Sequence, residues 1–170
     1  LDIENAYALT SLNGLSNITT IGTLDLDNND ALVSLDGLTN IRTIIGSVFI
    51  RSNEALSTLN LSSLTSVGTR LSLSDNDAIS NLDGLSALES VRDLSIYDND
   101  GLVSLDGLSS LTSVEEDLTI ERNDSLCRED ALAFAESIYV GGSVMVWGNT
   151  YDCDDADDGA SDDSGPSPSE

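Results

Sequence analysis

Any chemistry in this chain must come from carboxylates, hydroxyls, arginines or one pair of thiols. There are 31 acidic residues against six arginines, with no lysine and no histidine. Asp25, Asp27, Asp30, Asp75, Asp77, Asp98 and Asp100 fall in close company along the chain. Clustered carboxylates attract calcium, and carboxylate pairs serve glycoside cleavage. However, no segment follows the EF-hand spacing or the GGxGxD calcium repeat, and the acids recur with the period of the chain itself. They read as solvated turn residues. The expectation is no metal, no cofactor and no catalytic residue.

Cys127 and Cys153 are the two cysteines. Their separation does not suit C-x-x-C redox chemistry, and no histidine is present to complete a zinc site. They read as one disulfide, contributing about 3–4 kcal/mol by chain-entropy arithmetic. Such a bond implies an oxidising compartment.

The charge of −25 argues against nucleic acid, whose affinity comes largely from neutralised phosphates, and against an anionic membrane surface. No run approaches the roughly 20 apolar residues that span a bilayer, so no direct membrane insertion is expected. The acidity suits a solvated, aggregation-resistant surface, with cation or polycation binding as the other use.

The elements that position these groups follow from a period of 23 to 24 residues. From Leu24, apolar residues fall at Leu26, Leu32, Leu35, Leu38, Ile41 and Ile44. The same template fits from Leu1, Leu71 and Leu94, and from Val48 with one residue dropped near Leu61. A periodic array of this kind points to stacked repeats sharing one core. The L-x-L segments alternate as strands do. The SLDGL and LTSV-like segments are expected to add short extended pieces on the other sides of each coil. Each fully buried leucine adds roughly 1.5–3 kcal/mol.

An asparagine column keeps register at Asn29, Asn53, Asn76, Asn99, Asn123 and Asn149, with Ala6 in the first copy. An amide both donates and accepts, so stacked copies can satisfy the backbone groups where each strand ends. From Cys127 the pattern changes. Leu132, Phe134, Ala135 and Ile138 have near-helical spacing, with Glu129 and Asp130 at the favourable N-terminal end. A last strand follows, Gly142 to Asn149, with Val144 and Val146 expected inward. Residues 127–153 read as a C-terminal cap, which a stacked array needs. Residues 154–170 hold no large apolar group and are expected to be a disordered acidic tail. Leu1 already sits on the template, so an N-terminal truncation is expected. Sequons occur at Asn17, Asn60 and Asn123, the last within the asparagine column.

The LxLxxN blocks, SLDGLTNI, SLDGLSSL and the segment NDSLCREDALAFAESI followed by GSVMVWGNTYDC resemble leucine-rich, receptor L-domain-like repeat proteins of extracellular surfaces. The resemblance covers residues 1–153. It implies a mainly β fold, a right-handed parallel β-solenoid with a short C-terminal capping helix and strand, displayed outside the cell in a non-enzymatic binding or adhesion role. The lack of lysine and the strong acidity depart from that family.

Outward positions of the first strand of each coil form two columns. One runs Asp2, Asp25, Phe49, Ser72, Ser95, Thr119, Met145, and the other Glu4, Asp27, Arg51, Ser74, Tyr97, Glu121, Trp147. Phe49, Arg51, Tyr97, Met145 and Trp147 are the candidate ligand face, because exposed aromatics and arginine anchor interfaces and stack on sugars. The expected partner is a protein or glycan. The alternatives are a structural spacer without a ligand and a polysaccharide-active enzyme.

Overall fold

Alternation makes the strands: in each L-x-L segment the apolar residues share one side of the extended chain and the polar residues the other. The computed structural model describes residues 1–150 and Cys153, and the expected disordered tail at 154–170 lies outside the described residues. Its elements in chain order are β1 (Asp2–Glu4), β2 (Thr20–Ile21), β3 (Leu24–Asp27), β4 (Thr43–Ile44), β5 (Val48–Arg51) and β6 (Ser66–Ser74). They continue with β7 (Ser90–Tyr97), β8 (Ser113–Val114), β9 (Leu118–Glu121), the helix α1 (Arg128–Ser137), β10 (Tyr139–Val140) and β11 (Val144–Trp147).

The fold is mainly β, and the pairings among these strands are parallel. A principal ladder runs β1, β3, β5, β6, β7, β9, β11, and a second runs β2, β4, β6, β7, β8, β10. The long strands β6 and β7 belong to both, with a register shift between Val67 and Arg70. Residues one period apart pair directly: Leu24 with Val48, Val48 with Leu71, Leu71 with Leu94, and Leu94 with Leu118. All five are fully buried, so the apolar column of the sequence becomes a continuous core.

The DGL part of each SLDGL segment is not the extended piece expected. Asp36–Leu38, Asp83–Leu85 and Asp106–Leu108 wind into 3₁₀ turns, as does Asn13–Leu15. Each is closed by a bond such as Leu38 N–H to Leu35 C=O at 2.7 Å. The reason is periodicity. Leu35 and Leu38 are three apart and both buried. Extended chain would point them to opposite faces, whereas a 3₁₀ turn eclipses residues i and i+3. The turns stack closely, and a Cβ at Gly37 would lie 1.7 Å from the Leu12 carbonyl oxygen.

From β3 onward, each principal strand ends in a left-handed residue followed by the ladder asparagine. Asn28, Ser52, Asp75, Asp98, Arg122 and Gly148 all have φ between 50° and 71°. Asn53 is typical of the buried asparagines. Its Nδ2 donates to Leu26 C=O (3.1 Å), Arg51 C=O (2.8 Å) and Asn76 Oδ1 (3.1 Å), and its Oδ1 accepts from Asn29 N–H (3.1 Å). Asn76, Asn99 and Asn123 repeat the pattern, while Asn29 and Asn149 end the chain of amides. The bend that leaves backbone groups unpaired is therefore satisfied from within.

The C-terminal end departs from expectation in two places. Helix α1 buries Ala131 and Ala135, with Leu132, Phe134 and Ile138 only half-buried. The helix packs beside β10 and β11. Val144 pairs with Leu118 in the inward register yet is 47% exposed. Among the described residues β11 has a strand neighbour on one side only, so nothing stacks over it.

Candidate functional site

Strand register places the candidate residues. Phe49 and Arg51 stand on β5, Tyr97 on β7, and Met145 and Trp147 on β11, all on the polar face of the principal ladder. They are not one cluster. β5 and β11 are four strand spacings apart, about 19 Å. The face divides into an N-terminal patch at Phe49 and Arg51 and a C-terminal patch at Tyr97, Met145 and Trp147.

Between them the face is closed. Ser72 and Ser74 of β6 occupy outward positions but are 5% and 1% exposed. They are small, and β5 and β7 on either side carry Phe49, Arg51 and Tyr97, which are themselves half-buried. Trp147 and Met145, at the end of the ladder, are 48% and 47% exposed.

Each patch is organised by an arginine. Arg51 Nη2 donates to both carboxylate oxygens of Asp25 (2.8 and 3.1 Å), and its guanidinium lies 5.2 Å from the Phe49 ring centre. Asp27 comes within 3.9 Å of the same nitrogen. In the C-terminal patch, Arg122 donates from Nε and Nη2 to the two oxygens of Asp98 at 2.6 Å and lies 5.3 Å from the Trp147 ring centre. The bidentate bond to Arg122 holds the Asp98 carboxyl below the usual aspartate range, against a partial burial that works the other way. Asp98 pushes the Arg122 guanidinium further up.

Sequence reasoning missed Arg122, Asp98 and Asp25 as partners of the aromatic groups. A signal existed: Arg122 falls at the left-handed position that other copies fill with Asn28, Ser52, Asp75 or Asp98. A long cation is out of place there unless something holds it.

The carboxylates considered for calcium are divided among other tasks. Asp25 and Asp98 hold arginines. Asp77 Oδ1 accepts the Asp100 backbone N–H at 3.1 Å. Burial, and then the charges of Asp124 and Asp77, push the Asp100 carboxyl up. Cys127 and Cys153 are joined in a disulfide, with Glu129 against the sulfurs. Both sulfurs are committed to that bond, so they offer no thiolate ligand in this state.

One further concavity lies beside α1. A cleft of about 770 Å³ separates α1 from the Asp106–Leu108 turn, with Leu105, Leu108 and Leu111 on one wall and Phe134 and Ile138 on the other. It exists because the helix replaces a turn that would otherwise stack on its predecessor. None of the candidate face residues lines it.

No protein-family model, curated protein or solved structure matches this chain at a significant level.

Proposed function

We propose that the chain is a leucine-rich, receptor L-domain-like recognition module. In this reading it is a right-handed solenoid displayed outside the cell that binds a protein or glycan through its strand face without catalysing a reaction. One observation carries the reading. Inward positions and the asparagine ladder keep their residue types from copy to copy, while the outward positions of the same strands vary and gather Phe49, Arg51, Tyr97, Met145 and Trp147. Residues that hold a scaffold must recur, and residues that read a ligand need not.

Other features agree with it. A disulfide suits an oxidising compartment. No helix among the described residues is long and apolar enough to cross a membrane. The chain holds no histidine, and Asp25 and Asp98 are engaged by arginines, which favours binding over turnover.

The test is capture on glycan and protein arrays by the wild-type chain and by a Tyr97→Ala/Trp147→Ala variant. A ligand bound by the first and lost by the second supports the reading. Capture that the variant retains in full would count against the strand face, and no capture at all would favour a stiff spacer. Product formation in a polysaccharide hydrolysis screen would favour an enzyme.

A further inference from the structure

Tyr97 and Trp147 lie in one column with Glu121 between them: Tyr97 pairs with Glu121, and Glu121 with Trp147. The two aromatic residues are therefore two strand spacings apart, about 9.5 Å. An extended β-1,4-linked pyranose chain presents the same ring face at every second sugar, and a disaccharide spans a similar length. A chain of sugars lying across the strands would meet an aromatic ring, then a carboxylate, then an aromatic ring.

Charge narrows the class. Arg122, the cation beside this patch, is already neutralised by Asp98. Among the outward-column residues of β7, β9 and β11, Glu121 is the charged one, and the other carboxylates of the face, Asp25 and Asp27 included, lie at the distant N-terminal end beside Arg51. The complementary ligand is cationic. A basic peptide brings charge on flexible stems, without flat apolar faces at a fixed interval. A neutral glycan brings the faces without the charge.

We propose that Tyr97, Glu121 and Trp147 form a site for an extended β-1,4-linked amino-sugar polymer of the polyglucosamine class. Alternate rings stack on Tyr97 and Trp147, and the ammonium of the sugar between them meets the Glu121 carboxylate. Arg122 occupies one side of the Trp147 ring and holds it in place, so little side-chain freedom is lost on binding. The proposal rests on the strand face being a recognition surface and narrows its ligand.

Trp147 is the single tryptophan, so its fluorescence reports on the site directly. The experiment titrates glucosamine hexamer, glucosamine dimer, N-acetylglucosamine hexamer and an oligolysine of equal charge into the full chain at physiological salt. The glucosamine hexamer should shift the emission and bind most tightly, with the dimer too short to bridge the two rings. Tyr97→Ala should weaken the hexamer by roughly tenfold, as truncation of an aromatic anchor does. Tyr97→Phe should leave it unchanged and so control for folding, and Glu121→Gln should weaken it. Oligolysine or N-acetylated hexamer binding as tightly as glucosamine hexamer would overturn the proposal, as would a Tyr97→Ala variant with unaltered affinity. If no glucosamine oligomer binds but another glycan or a basic protein does, and is lost with Tyr97→Ala, this inference fails while the recognition surface stands. If nothing is lost with Tyr97→Ala or Trp147→Ala, both fail.

Discussion

The Arg122 guanidinium sits 5.3 Å from the centre of the Trp147 ring while its Nε and Nη2 donate to Asp98. Three successive strand ends are tied together by one side chain. Arg122 does this from a left-handed backbone position (φ 50°) that disfavours a side chain of its kind. The ion pair and the ring contact hold it there.

The pair makes a pH prediction. Asp98 titrates below its ordinary value, first through its bond to Arg122. A carboxylate depressed in the folded state contributes stability above its unfolded pKa and loses it as pH falls through the folded one. Trp147 emission should therefore stay constant down to the ordinary aspartate range and change only below it. Asp98→Asn should abolish the acid step, and Arg122→Ala should shift the emission at neutral pH. The Arg122 side chain is exposed to solvent, so Arg122→Ala should change urea unfolding little.

Asp100 should behave in the opposite sense. Its carboxyl is pushed up by burial, then by Asp124 and Asp77. A carboxyl raised in the folded state contributes most when protonated, below its unfolded pKa, and its contribution is lost as pH rises through the folded value. Asp100→Asn should therefore raise the melting temperature at neutral pH, with the gain vanishing in acid. Added salt should shrink the difference at neutral pH by screening the neighbouring charges. A melting temperature lowered by Asp100→Asn at neutral pH would contradict this.

The two pH predictions illustrate what a linear sequence conceals. The strands, the core leucines and the asparagine column were legible because each obeys one rule repeated at one period. The 3₁₀ turns were less so, since the SLDGL pattern alternates well enough to suggest extended chain. Only the shared burial of Leu35 and Leu38 decides it. The outward columns were legible as columns but not as patches. Burial of Ser72 and Ser74 depends on larger side chains one strand away on either side. Pairing of Arg122 with Asp98 spans 24 residues of chain and takes place at positions without a repeated type. Exposure of Val144 follows from position, because its register is that of the buried Leu118 while among the described residues no strand pairs beyond β11.

The asparagine ladder should be cooperative, and most sensitive at its centre. Asn76 Nδ2 donates to Ile50 C=O (2.9 Å) and Ser74 C=O (2.7 Å), and its Oδ1 accepts from the backbone (3.2 Å) and side chain (3.1 Å) of Asn53. Asn76→Ala strands several buried polar groups at once and should cost about 3 kcal/mol or more in urea unfolding. Asn29→Ala should cost less, because its partners at Ile3 and Ala6 are only partly buried. Asn76→Asp should not rescue, since a carboxylate cannot donate to the two carbonyls and would bury a charge. Equal losses at Asn29 and Asn76 would mean that the amides act independently.

The closeness of the stacked turns gives the sharpest contrast between two chemically identical changes. A Cβ at Gly107 would lie 2.0 Å from the Leu82 carbonyl carbon and 2.3 Å from the Asp83 nitrogen, both backbone atoms that cannot rotate away. At Gly14, in the same turn of an earlier copy, a Cβ would meet nothing within 4 Å. Neither glycine has positive φ, so the conformational effect of alanine is alike at both. Gly14→Ala should be neutral or stabilise by up to about 1 kcal/mol through the unfolded chain. Gly107→Ala must push two turns apart and should cost about 1–3 kcal/mol. Guanidinium unfolding of the two variants side by side separates backbone crowding from glycine entropy. Similar stabilities would show that the turns have room to part and that the glycine is not required for their approach.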